Sequence, residues 1–384
     1  MYFFSDIDPN YRIKGSRDPL GFQSLWAAAG HRAVAHLSTV SSNLTDYMIL
    51  SYALYFYRGR PENQFLQFFL KFEQVCGYAR RIYDVDKGFN GIEFVNKRRE
   101  NSEFSISLKP TDTLLSNQRT YGIYGKYIRP YRDMGAEKDP RFIEIMEQSL
   151  SKTDRVKVLA IVQRLLSETA SIISKEELEP IANMLQSITP LEQEFYRTYI
   201  LQVPQRHHAQ NNLYEIVHQN QEIAQTQFNL HTTIEALKNV QGISEELTFA
   251  LENISNTDRV LFPLNRCFTH LLSQSSWEPS QIPNDTFITN LPKALEYDFS
   301  DSTIRELNTI LSLEPSKIVE AIVERNKKVS SDRKSKEWII KEKDSFKVVY
   351  GENGQKQSNI DFANNYEFPY FLNTYLSLYK QIEL

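Results

Sequence analysis

Glycine supplies only 13 of the 384 residues of this chain, roughly half of ordinary usage. Sheets joined by tight hairpins draw on glycine at positive φ, so the shortage favours helices over strands. Cysteine is scarcer still, with Cys76 and Cys267 far apart and at no metal-binding or redox spacing. That excludes a disulfide framework and makes a reducing compartment the expectation. The start of the chain lacks a secretory pattern, because Met1-Tyr2-Phe3-Phe4 runs at once into Asp6 and Asp8. Long apolar runs are missing too. The longest, Tyr47 to Tyr57, is about half a membrane span and reads as a buried core helix. A cytoplasmic protein with no membrane segment is expected.

Recognisable catalytic motifs are also lacking. Gly122-Ile123-Tyr124-Gly125-Lys126-Tyr127 has the wrong spacing for a phosphate-cradling loop, which needs more residues between its glycines and a hydroxyl after its lysine. Neither a nucleophile elbow nor a metalloprotease histidine pair is present. His31 and His36 would diverge on a helix, as would the adjacent His207 and His208. Ser331-Asp332-Arg333-Lys334 holds an acid-x-Lys triplet of the kind some metal-dependent nucleases use, but in a polar loop. No catalytic residue, metal site or cofactor is assigned.

What is present predicts a mainly α, multi-helical protein with a small C-terminal β-hairpin. A hydrophobic share of 41% supports real cores, and a charged share of 24% is ordinary for globular chains. Ten of the thirteen glycines precede residue 136, which sets off 1–135 as an aromatic-rich basic helical domain. Within it, Phe22, Leu25, Trp26, Ala29, Ala33 and Leu37 follow one helical stripe, and Glu103 to Leu108 alternates like a short strand. Residues 136–329 read as an acidic helical domain. Ser174 with Glu177 and Thr189 with Glu192 have capping-box spacing, and Pro190 fits a first helical position. Ser244 should cap another helix that breaks near Pro263, and Trp277 to Pro292 reads as an extended connector. Residues 330–384 read as a β-hairpin over 337–350, turning at Lys341-Glu342-Lys343-Asp344, followed by a terminal helix.

Charge is segregated along the chain. Residues 1–135 carry 18 Lys/Arg against 13 Asp/Glu, a balance of +5, and residues 136–324 carry 15 against 27, a balance of −12. A basic end for nucleic acid and an acidic helical face for a protein partner is one reading, and solvated faces of uneven sign is the other. The most informative constellation runs from Asn117 to Arg132. Cations for phosphates interleaved with aromatic faces for bases make a sequence-tolerant nucleic-acid surface. The candidate contact residues are Arg119, Tyr121, Tyr124, Lys126, Arg129 and Arg132, with Gly122 and Gly125 allowing close backbone approach. Arg80-Arg81 and Lys97-Arg98-Arg99 extend the patch on this reading. The competing reading has the tyrosines packing a helix onto its neighbour, with cations reaching outward.

Three stretches carry a resemblance. They are Asp18 to Trp26 continuing to Ser41, Leu115 to Gly125, and Tyr370 to Leu378. Together they resemble poorly characterised bacterial proteins encoded in antiviral defence loci beside ATPases or nucleases. The resemblance implies a subunit of a multi-protein anti-phage defence assembly, with a partner ATPase or nuclease subunit, and it implies no fold or site. The expectation is therefore a non-catalytic subunit that contacts DNA. The alternatives are a divergent metal-dependent nuclease and a helical scaffold without nucleic-acid contact.

Overall fold

A computed structural model describes residues 17–86, 88–203, 207–343, 345–351 and 354–384. The reading of Met1 to Asp8 lies outside these residues, as does Asp344 in the expected hairpin turn. Among the described residues helices take 59%, and the strands are confined to small antiparallel sheets. Polar side chains start many of the helices by accepting their first free amides. Asn43 Oδ1 accepts from Thr45, Ser151 Oγ from Asp154, and Asp301 Oδ1 from Thr303 and Ile304. Thr189 and Glu192 form a reciprocal capping box behind Pro190, as their spacing predicts.

The described chain divides into two units, one of residues 34–228, 240–247 and 371–384, the other of 17–33, 229–239 and 248–370. The first unit is built around helix Leu44–Tyr57, which is apolar on every side and buried along nearly its whole length. Helix Phe65–Ile82 packs beside it through a stripe of aromatics. Tyr57 meets Phe65 and Phe68 at ring separations of 5.3 Å, and Phe68 meets Phe72 at 5.6 Å. Lys71 of this helix, although buried, donates to the Leu165 and Glu168 carbonyls. A cation is thereby placed at the C-terminal end of helix Lys152–Ser167, where the helix dipole favours it. The expected strand at 103–108 is present as Glu103–Ser107. It pairs antiparallel with Ala170–Ser174, a strand the sequence does not announce.

A six-residue π-helix, Arg197–Gln202, interrupts the same unit and ends at Val203 with φ of 45°. A wider turn leaves carbonyls without their usual helical donors. Gln210, fully buried, answers two of them by donating Nε2 to Ile200 O at 2.7 Å and to Leu201 O at 3.1 Å.

The second unit gathers Leu261, Leu264, Phe268, Trp277 and Ile322 into one core. The long helix Glu245–Leu271 belongs to this unit from Thr248 onward. Ser244 Oγ accepts from Leu247 at its start, as expected. The break expected at Pro263 does not occur. That proline is buried between Phe262 and Leu264, and core packing carries the helix past its missing donor. The first helix is shorter than its apolar stripe predicts, ending at Gly30, while Ala33 and Leu37 are buried beyond it. Trp277 to Pro292 is less extended than expected and contains the short helix Thr286–Thr289. The C-terminal hairpin forms between Ile339–Lys341 and Phe346–Val348, and Ser276–Trp277 adds a third strand to it.

Candidate nucleic-acid interface

The segment singled out for nucleic acid lies in the first unit and folds as two helices at a sharp junction. Helix Gln118–Tyr121 ends at Gly122, and helix Ile123–Met134 begins there. The junction rests on Glu73, a buried acid of helix Phe65–Ile82. Its Oε1 accepts the Ile123 amide at 2.7 Å, and its Oε2 accepts Gln118 Nε2 at 2.8 Å. An internal carboxyl group therefore accepts the first free amide of the helix that carries the candidate residues.

Both glycines of the segment are explained by this junction. A Cβ on Gly122 would lie 2.6 Å from Glu73 Oε1, and one on Gly125 would lie 2.1 Å from the Thr120 carbonyl oxygen. The close approach they permit is between parts of this chain.

Helix Ile123–Met134 sorts its side chains by face. Ile123, Tyr127, Tyr131 and Met134 are buried. Tyr127 meets Tyr47 edge-on at 4.9 Å, and its hydroxyl accepts the Asn43 amide at 3.1 Å. The six candidates separate accordingly. Arg119 is exposed, and Tyr121 is 48% exposed. Tyr124 is half-buried, its ring 5.8 Å from Phe69 and 6.4 Å from Phe65, so it belongs largely to packing. Lys126 is half-buried and lines a small cavity under the helix. Arg129 projects with its side chain 90% exposed, 3.7 Å from Asp133. Arg132 donates to the exposed Glu62 at 3.0 Å. Arg119 and Lys126 have no ion pair among the described residues.

The expected extensions of the patch divide differently. Arg80 is not on the surface. Its side chain is 1% exposed and bonds Asp46 at 2.7 Å and Asp86 through Nε at 2.9 Å, with Phe89 beneath its guanidinium. Adjacent arginines in a helix point about 100° apart, so one can be buried while the next is not. Arg81 is engaged by Asp84 at 2.8 Å. Lys97 is exposed, and Arg98 stacks over Phe94 at 3.8 Å.

Asp46, Glu73, Arg80 and Lys126 line a cavity of about 10 Å³, room for one water. Burial pushes the Glu73 carboxyl up to about 7, and the Ile123 amide and Gln118 draw it partly back. Burial likewise raises Asp46, with Arg80 opposing the shift. No local pattern announces this cluster, because its members are scattered along the chain and each is an ordinary helix residue.

Other groups that look chemically suggestive are committed elsewhere. In the second unit, His270 Nε2 lies 3.1 Å from Asp285, while its Nδ1 accepts the Gln357 amide at 2.9 Å. Neither ring nitrogen is left to act as a base toward Cys267, whose thiol is pushed up by complete burial. Asp332 ends helix Pro315–Asp332, and Lys334 is exposed. Among the described residues no group of three or more His, Cys, Asp or Glu could hold a metal ion, and no helix is long and apolar enough to cross a membrane. Comparison with known proteins finds no matching family model, no matching curated protein and no matching solved structure.

Proposed function

We propose that this chain is a non-catalytic subunit of a bacterial anti-phage defence complex, contacting DNA through the exposed face of residues 119–132 and docking a partner ATPase or nuclease. The DNA contact is supported above all by Arg129, whose side chain is almost fully exposed and, among the described residues, is paired with Asp133 alone at 3.7 Å. Arg119 and Lys126, which have no ion pair among the described residues, lie on the same segment. Exposed ion pairs of the Arg129–Asp133 and Arg132–Glu62 kind contribute little, so a phosphate can displace them. Tyr121 is the aromatic ring available for stacking. The balance of −12 over residues 136–324 supports a cationic surface on the partner, and the three resembling stretches support the defence setting.

The test is binding of fluorescent single-stranded and duplex DNA across a series of salt concentrations, with the chain alone and with its co-expressed partner. Affinity should fall with salt. Arg119→Ala and Arg129→Ala should each flatten the log–log slope by roughly one and weaken all sequences alike. A wild-type chain that binds no DNA even at low salt, alone or with the partner, removes this reading.

A further inference from the structure

The second unit holds a cavity of about 30 Å³ between helix Phe22–Gly30, helix Glu245–Leu271 and the start of helix Ser302–Ile310. That is room for roughly two or three waters. A ligand here is therefore no larger than glycine or alanine. The apolar wall is buried and comes from Leu25, Ala29, Phe299 and Ile304. Four polar side chains complete the lining: Arg32, Asn253, Ser300 and Asp301. An apolar wall carrying a few placed polar groups is the make-up of a small-molecule site.

Asn253 is the residue that points to a ligand. It is 6% exposed within a helix, and its side-chain amide has no hydrogen bond among the described residues. Buried amides are normally partnered, and alanine would suit the helix better. The two charges of the lining are also left unjoined. Arg32 lays its guanidinium 5.5 Å from the Phe249 ring and gives Nη2 to Ser300 Oγ at 3.0 Å. The rest of its fork has no hydrogen bond or ion pair among the described residues. Asp301 Oδ1 accepts the Thr303 and Ile304 amides at 2.8 and 3.0 Å, whereas Oδ2 has no partner among the described residues. Arg305, the cation nearest to Asp301 in sequence, is taken by the Phe299 carbonyl and Asp298. A cation and an anion thus border one cavity without pairing with each other.

We infer that this cavity binds a small free α-amino acid, its carboxylate on Arg32 and its ammonium on Asp301 Oδ2. An anion alone would be repelled by Asp301 and a cation alone by Arg32, whereas a zwitterion answers both. The open part of the Arg32 fork matches a carboxylate in shape as well as charge. Asn253 can serve both ends, its amide oxygen accepting from the ammonium and its NH2 donating to the carboxylate. The Ser300 hydroxyl, already accepting from Arg32, has its own proton to give to the carboxylate. The methyl group of alanine would lie against the apolar wall. This site belongs to the second unit and does not rest on the DNA-contact reading, which concerns the first.

The experiment titrates the full-length chain with glycine, alanine, acetate and methylammonium, following the Asn253 side-chain amide by nuclear magnetic resonance. Glycine and alanine should shift that resonance saturably. Acetate and methylammonium each lack one charge and should bind about tenfold more weakly. Arg32→Gln, at an exposed position, should bring glycine down to the affinity of methylammonium. Asp301→Ser keeps a helix cap and should bring glycine down to the affinity of acetate. Asn253→Ala should weaken glycine about tenfold while the free chain melts no lower, since no internal partner is lost. An Asn253 amide unmoved by about 10 mM glycine or alanine, or acetate binding as tightly as glycine, would overturn the inference. So would glycine affinity untouched by Arg32→Gln or Asp301→Ser, or a free Asn253→Ala chain that melts several degrees lower.

Discussion

Protonation of Glu73 is a perturbation that needs no mutation. Burial pushes this carboxyl up to about 7 from an ordinary 4.5, equivalent to about 3 kcal/mol. The folded-state value lies above the unfolded one. The contribution to stability is therefore fully present below about 4.5 and is lost as pH rises through about 7. The charges facing Glu73 are Asp46, which raises it, and Arg80, which lowers it, with Lys126 on the cavity wall. The sharpest reporter is the Ile123 amide, which donates directly to Glu73. Its nitrogen shift should titrate with a midpoint near neutrality, and Glu73→Gln should abolish the titration. Asp258 is also pushed up by burial to about 7. Global unfolding would mix the two groups, whereas the Glu367 and Phe368 amides report Asp258 separately. An Ile123 amide that stays flat from pH 5.5 to 8.5, while the protein remains folded, would refute this reasoning about Glu73.

Arg80→Ala should destabilise the first unit by about 3–5 kcal/mol in chemical denaturation, because it strands Asp46 and Asp86 without their cation. Replacing both aspartates by asparagine in the same chain should recover part of that loss. Gly125→Ala should lower the melting temperature by several degrees, since its Cβ would meet backbone oxygen at 2.1 Å. Tyr124→Ala should cost about 1–3 kcal/mol of stability through lost packing on Phe65 and Phe69 and leave the salt slope of DNA binding unchanged. Tyr121→Ala should do the reverse, weakening DNA binding by about 1–3 kcal/mol with little effect on the melt.

The sequence reveals most where local rules act alone. The capping box at Thr189 with Glu192, the core helix Leu44–Tyr57 and the alternating strand Glu103–Ser107 were all legible, because caps and periodicity are properties of neighbouring residues. The strand Ala170–Ser174 was not, since what defines it is the partner strand 67 residues earlier, counted from Glu103 to Ala170. Pro263 misled for a related reason: tertiary packing outweighs a lost helix bond. At the candidate interface, the basic and aromatic composition was visible, but the division of labour was not. Which of Arg80 and Arg81 turns inward, and which of Tyr121 and Tyr124 stays exposed, depends on helix Phe65–Ile82 and on Glu73. A lone glutamate among phenylalanines looks like a solvated face until the amide it caps is seen.

DNA bound on the exposed face of residues 119–132, as proposed, would lie within cross-linking reach of Tyr121. A single-stranded oligonucleotide carrying 5-iodouracil, irradiated with the full-length chain and its partner and mapped by mass spectrometry, should place its adduct on Tyr121. The buried rings of Tyr127 and Tyr131 should remain unmodified. Adducts confined to the second unit, or to the partner alone with Tyr121 untouched, would put the DNA elsewhere than on residues 119–132.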